Sequence, residues 1–242
     1  MLKYILVTAS SRGLGLEIAK ELSYAGYNII LTSRSEKNLG IALKQLNSKL
    51  KHICIEIDLS TDDVNEKLIK KIEGLNIVSI VHNFGTKLEN DCHPIDIDIL
   101  NQSIYNNFTV SLKINELLYQ KLKGDPSKII YIGSTASLHA KASPSYTLSK
   151  SLINTYVKNI SSEYLKYNIL ICAVLPGILG HKGSDWDKKQ TIDNNKYKKV
   201  KQEQPLGKFS MPNEVSPYIE NLINTKNLLI TGSIIKLDLG SY

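Results

Sequence analysis

The chain has 242 residues, 42% of them apolar and 22% charged, the proportions of an ordinary globular protein long enough to bury a sizeable core. No apolar run reaches the roughly 18 residues of a membrane span, and the apolar start before Arg12 is too short for a secretory leader, so neither a membrane role nor export is expected. A net charge of +7 fits either a lysine-rich solvated surface or attraction to anionic ligands, and the lack of a basic helix with interleaved aromatics argues against nucleic acid.

From the N-terminus, apolar and β-branched runs predict strands at 3–8, 27–33, 52–58, 77–82, 128–133, 168–175 and 229–237. Amphipathic stretches near 13–25, 35–50, 61–73, 97–122, 145–166 and 212–224 predict helices between them. Apolar strands separated by helix-length segments imply a parallel sheet covered on both faces. The expected fold class is therefore α/β: a doubly wound parallel sheet of about seven strands, one domain over 1–242. One stretch, 177–204, has no clear strand and is rich in lysine. Following the sixth strand, it is expected to form a lid over the carboxyl edge of the sheet, where ligands bind in this architecture. Cys54 and Cys172 fall inside strand-like runs, where a thiol acts as a small hydrophobe. With Cys92 they make an odd number without metal spacing, pointing to free thiols in a reducing, cytoplasmic compartment. The five histidines form no ligand pair at helical spacing, and no metal is expected.

Several strand ends carry residues suited to chemistry. The first strand runs through Thr8-Ala9-Ser10-Ser11-Arg12-Gly13-Leu14-Gly15 directly into a helix. Glycines there let a backbone approach a pyrophosphate, and the helix N-terminus supplies amide donors and a favourable dipole. A structural turn is the alternative. The second strand ends Ser33-Arg34 without the carboxylate that would bond a ribose 2′-hydroxyl. Arg12 and Arg34 could pair with a 2′-phosphate, which favours NADP(H) over NAD(H); either could also be a surface charge. Tyr146 and Lys150, four residues apart at a helix start, share one face. A phenol of pKa near 10 is a poor acid or base at neutral pH, and a neighbouring ammonium favours its phenolate. Ser134, twelve residues before Tyr146 at the end of the fifth strand, would face the same cleft, with Ser137 a nearby competitor.

These motifs together resemble the short-chain dehydrogenase/reductase family, whose fold is of the Rossmann type. The first turn matches Thr-Gly-x-x-x-Gly-x-Gly, with Ala9 in place of the first glycine. Asp58 and Leu59 resemble the position that caps an adenine amino group, although Asp58 could also cap the following helix near Ser60. His82-Asn83-Phe84-Gly85 stands for Asn-Asn-Ala-Gly, with His82 and Phe84 as departures. Pro176-Gly177 and Leu179 resemble the turn that cradles a nicotinamide, and His181 stands where many relatives have a threonine that reaches the cofactor phosphates. Pro205-Leu206-Gly207-Lys208-Phe209 and Pro212-Asn213-Glu214-Val215 match a further family stretch. The resemblance implies a catalytic set of Asn107, Ser134, Tyr146 and Lys150. In it Ser134 holds a carbonyl oxygen, Tyr146 transfers its proton, Lys150 binds the ribose and tunes the phenol, and the Asn107 carbonyl holds a relay water. It also implies a homotetramer or homodimer packed through the helices near 97–122 and 145–166.

The same resemblance points to 3-oxoacyl-carrier-protein reductases, small-molecule or carrier-bound carbonyls being the substrates. The lid favours an alternative, the keto-sugar and nucleotide-sugar reductases of bacterial surface-polysaccharide pathways, with Trp186 stacking on a sugar face or else anchoring the lid. A third reading is a non-catalytic NADP(H)-binding sensor, favoured by Ala9, His82, Phe84 and His181 and opposed by the intact catalytic set.

Overall fold

A computed structural model describes residues 2–61, 63–123 and 126–241. Among them the chain alternates β1 (Lys3–Val7), α1 (Gly13–Tyr24), β2 (Asn28–Ser33), α2 (Glu36–Leu43), β3 (Ile53–Glu56), α3 (Val64–Ile72) and β4 (Asn76–His82). It continues through α4 (Ile97–Ile104), a π-helical turn (Tyr105–Thr109), α5 (Val110–Leu122), β5 (Ser127–Ile132), the short α6 (Ala136–His139), α7 (Pro144–Leu165) and β6 (Ile169–Pro176). Last come α8 (Asp185–Ile192), α9 (Asn194–Gln202), α10 (Pro212–Asn224), a 3-10 turn (Leu228–Ile230) and β7 (Ile234–Leu237).

The strands form one parallel sheet in the order β3-β2-β1-β4-β5-β6-β7. Alternate side chains feed opposite faces, as the period of two requires. Tyr4, Ile129, Tyr131, Ile169 and Ile171 pack with α3, α5 and α7. Ile5, Val7, Ile130, Leu170 and Cys172 pack with α1, α2 and α10. Every residue of β6 is buried, which explains its unbroken apolar run. The order reverses between β1 and β4, and the crevice outside their carboxyl ends is the natural ligand site.

The structure corrects several expectations. The apolar run 229–237 is not one strand: Leu228–Ile230 form a 3-10 turn with Leu229 90% exposed, and β7 begins only at Ile234. The helix predicted near 97–122 is broken by the π-helical turn around Asn107. The third helix starts at Val64, so Asp58 does not cap it; its carboxylate instead accepts from Ser60 N and Oγ at 2.9 and 2.6 Å. Cys54 is exposed on edge strand β3, while Cys172 is buried as expected. The 177–204 stretch, expected as a lid without a clear strand, carries α8 and α9, neither of which buries a residue.

Candidate active site

The turn after β1 is held open at the switch point. The Thr8 hydroxyl accepts from Asn83 N and Phe84 N at 2.8 and 2.9 Å, tying the ends of β1 and β4 together. Ala9 adopts φ +51°, the left-handed conformation that glycine takes freely. The family glycine is thus replaced without a change of backbone path, at a cost of roughly 1 kcal/mol. Ser10 is spent internally, its hydroxyl donating to Val7 O (2.8 Å) and accepting from Thr32 N (3.1 Å). Helix α1 starts after Arg12 with neither a side-chain cap nor an acid in its first turn, so its amide end faces the crevice uncompensated. Gly15 is required here: a Cβ would sit 2.4 Å from Ala9 O and 2.5 Å from Asn83 Nδ2. Leu14 and Leu59 face the core.

Ser11 and Ser33 join through their hydroxyls at 2.9 Å, and Arg34 follows Ser33 with its guanidinium 3.9 Å from Asp58. Burial raises the Asp58 carboxyl, but the Ser60 hydrogen bonds, Arg34 and Lys67 outweigh it and hold the group below its ordinary value. Arg12 points elsewhere, toward the lid: a Cβ on Gly183 would lie 3.4 Å from its Nη1. The two arginines thus serve different walls. His181 packs onto Gly13 so closely that a Cβ there would meet its Cε1 at 2.8 Å, which places this departure from the family pattern directly over the turn. Gly177 N donates to Leu237 O at 2.9 Å, fixing the start of the lid, and Leu179 bridges to Ser210.

Tyr146, Lys150, Ser134 and Asn107 converge at the ends of β4 and β5. Ser134 Oγ accepts from Ala136 N at 3.2 Å, and its hydroxyl hydrogen-bonds the Tyr146 phenol. Ser137 does not compete, because its hydroxyl donates to Ser134 O (2.6 Å) and accepts from Asn154 (2.8 Å). Lys150 is buried, with Nζ 5.9 Å from the Tyr146 ring centroid and donating to Ile132 O at 3.0 Å. Burial lowers its pKa to about 8. Burial also raises the Tyr146 phenol, with the Ser134 hydrogen bond opposing and Asp185 adding to the rise. Burial and Asp185 therefore outweigh the Ser134 hydrogen bond, and the direction is the reverse of the one expected from the Tyr–Lys spacing alone. A Cβ on Gly85 would meet Asn107 Oδ1 at 2.6 Å and Lys150 Nζ at 2.9 Å, so this side of the lysine stays open only because residue 85 is glycine.

Asn107 is buried. Its side-chain carbonyl, which the resemblance assigns to a relay water, accepts from Thr86 N at 3.0 Å, and its amide donates to Thr86 O and Ser103 O at 2.9 Å each. Asn106 turns away, accepting from Gln102. His82 replaces an asparagine at the end of β4 and is buried. Its Nε2 pairs with Asn115 Oδ1 at 2.7 Å, and Asn115 donates to the Tyr131 hydroxyl at 2.8 Å. Burial lowers the His82 pKa to about 4, so the ring is neutral and donates here.

Two residues escaped the sequence reading. Helix α7 has Pro144 in its first turn, and its N-cap Ser143 makes no side-chain cap. The Asp91 carboxylate does the capping from the loop after β4, accepting from Ser145 N and Tyr146 N at 2.9 and 3.0 Å. Burial raises Asp91, but these donors outweigh it and lower its pKa. The second is Lys87, whose Nζ stands 5.1 Å from the Tyr146 ring centroid. The lid's Trp186 is an anchor, its ring packed on Phe209 at 5.1 Å and overlain by Lys189 Nζ at 4.6 Å. Among the described residues no group of three His, Cys, Asp or Glu is placed to hold a metal, and no helix is long and apolar enough to cross a membrane.

The family profile described as short chain dehydrogenase matches residues 3–191. A 3-oxoacyl-(acyl-carrier-protein) reductase of Aquifex aeolicus is 25% identical over 251 residues, covering 99% of this chain and 97% of that protein. A tropinone reductase homolog of Arabidopsis thaliana is 27% identical over 244 residues, covering 97% of this chain and 88% of its own. The crystal structure of L-sorbose reductase from Gluconobacter frateurii, complexed with NADPH and L-sorbose, superposes with a TM-score of 0.90 at 21% identity, covering 99% of this chain and 96% of that one, a likeness of fold.

Proposed function

The chain belongs to the short-chain dehydrogenase family, oxidoreductases acting on CH–OH and C=O groups, and on that premise we propose that it is an NADP(H)-dependent carbonyl reductase with Tyr146 as its acid–base residue. The observation that carries this is the convergence of Ser134 and Lys150 on the Tyr146 phenol. The dinucleotide fits the residues present: the uncapped α1 terminus would receive the pyrophosphate at Ser11, Arg12, Gly13 and Gly15, on a turn whose shape Thr8, Ser10 and Leu14 fix from beneath. Ser33 and Arg34 would hold the 2′-phosphate, Asp58 the adenine with the buried Leu59 beneath it, Asn83, Phe84 and Gly85 the ribose, and Pro176, Gly177 and Leu179 the nicotinamide. When bound, the cofactor supplies the hydride chemistry.

The chain's own residues manage the oxygen. Ser134 donates to the substrate carbonyl oxygen and orients it. Tyr146 gives that oxygen its proton in reduction and takes it back in oxidation. Lys150 holds the ribose and stabilises the phenolate, and Asn107 supports proton return by fixing the Thr86 turn beside the lysine. The leading substrate is of the 3-oxoacyl type, with the basic lid (seven lysines against three acids over 182–201) facing an acidic carrier. A keto-sugar or nucleotide-sugar substrate is the second reading, supported by the Lys87 ammonium 5.1 Å from the Tyr146 ring centroid. Helices α5 and α7 are the proposed homo-oligomer faces, and the free thiols of Cys54, Cys92 and Cys172 support a cytoplasmic setting.

The test is steady-state oxidation of NADPH and NADH with acetoacetyl thioesters and keto-sugars. The proposal expects NADPH to be preferred by at least about tenfold in kcat/KM, and Arg34→Ala to narrow that preference. A preference for NADH, or cofactor binding with no turnover across the panel, would overturn it.

A further inference from the structure

We propose that Lys87 is a specificity-determining residue of the substrate cleft, binding an anionic substituent, carboxylate or phosphate, carried close to the carbonyl that Ser134 and Tyr146 hold. The inference rests on the reductase reading, since it takes Tyr146 as the group facing the substrate oxygen.

Two ammoniums lie near the Tyr146 ring, Lys150 Nζ at 5.9 Å and Lys87 Nζ at 5.1 Å from its centroid. Lys150 is buried and donates to Ile132 O, so it belongs to the protein interior. Lys87 approaches from the solvent side and has no part in the acid–base pair. Much of its side chain is exposed, yet its ammonium is drawn into the cleft, where burial lowers its pKa, Asp185 opposes that and Lys189 adds to it.

The position is held in advance. Asn107 accepts from Thr86 N and donates to Thr86 O, clamping both backbone groups of the residue before Lys87 to the π-helical turn. Gly85, on the other side, passes against Lys150. A lysine on so fixed a turn meets a ligand charge with less ordering cost than one on a free loop. Two charges on α8 act on Lys87 in opposite senses, Asp185 favouring its ammonium and Lys189 opposing it. An anion a few bonds from the carbonyl would reach Lys87 and take over from Asp185 as its counter-ion. A partly desolvated ammonium discriminates strongly for such a group.

The experiment uses two matched pairs, acetoacetate against methyl acetoacetate and dihydroxyacetone phosphate against dihydroxyacetone, with the NADPH-loaded protein. In one of the two pairs the wild type should prefer the charged member by tenfold or more in kcat/KM, and which pair does so separates carboxylate from phosphate. Lys87→Met should cut that preference at least tenfold, chiefly through KM, whereas Lys87→Arg should keep it within about threefold and Asp185→Asn should raise it. Binding is read separately in Tyr146→Phe through quenching of bound NADPH fluorescence by the same compounds, so that absence of turnover speaks against the reductase reading alone. A charged-to-neutral ratio unchanged within twofold by Lys87→Met overturns the inference. So does equal binding of both members of each pair by Tyr146→Phe, or an equal loss on both members with a shifted kcat pH profile, which would mean that Lys87 acts only on the phenol.

Discussion

Lys150, Asn107, Thr8 and Ser10 are buried at the ends of strands, whereas α8 and α9 of the lid bury none of their residues. The floor of the cleft is tied together across the sequence, Thr8 pairing with Asn83 75 positions away and Tyr146 with Asp91 55 positions away. The lid is held by its entry at Gly177, the Leu179–Ser210 bridge and the Trp186–Phe209 contact. Few buried contacts mean a low free energy of local opening, while the floor opens only with the whole fold. Chemistry that needs fixed distances sits on the part that cannot move, and selection of the substrate is left to the part that can.

That contrast can be broken at its strongest point. Lys150→Met should abolish measurable turnover, a loss of at least about 100-fold, yet stabilise the protein. The folded pKa of Lys150, about 8, lies below the ordinary 10.5, so the unfolded chain binds more protons between those values and stability rises with pH across that window. Below pH 8 the buried cation costs about 3 kcal/mol, of which the lost bond to Ile132 O returns roughly 1. Urea unfolding at pH 7 should show a gain of about 1–3 kcal/mol, and a destabilised variant would mean that the ammonium is well solvated.

His82 tests the floor from beneath. Its folded pKa of about 4 lies below the ordinary 6.5, so its contribution is present above pH 6.5 and is lost as pH falls toward 4, a drop of about 3 kcal/mol. Denaturant titrations at pH 7 and pH 4 should show that drop in the wild type, and His82→Gln should remove most of it. An unchanged pH dependence would assign acid sensitivity to other groups. Asp91→Ala uncaps α7 at the catalytic tyrosine and should cost about 1–2 kcal/mol of stability and lower kcat about tenfold by misplacing Tyr146. A stability loss with unchanged kcat would make Asp91 structural only. The smallest effect belongs to the lid: Trp186→Ala should change unfolding free energy by less than about 1 kcal/mol while raising KM, measured side by side.

The sheet was legible because β1 to β6 are apolar runs of strand length separated by amphipathic segments. The run at 229–237 misled because apolarity reports burial and association, not strand pairing, and Leu229 is exposed. Tyr146 and Lys150 were legible because a helix converts a spacing of four into a shared face. Asp91 was not, because its hydrogen bonds span 54 and 55 residues and no local pattern encodes them. One signal existed, a helix start at Ser143-Pro144 whose cap had to come from somewhere. Lys87 was hidden for a similar reason: only the Asn107 clamp on Thr86 aims that loop at the phenol. The sign of the Tyr146 shift was also beyond the sequence, since spacing reveals the ammonium but not the depth of burial.

The most direct test of the account is a single-turnover measurement of NADPH oxidation after mixing the loaded enzyme with an accepted ketone, in the wild type and in Tyr146→Phe. The account predicts that the variant binds NADPH within about twofold of the wild type and that its oxidation step slows by a factor of about 100 to 10,000. Oxidation at the wild-type rate in Tyr146→Phe would contradict it.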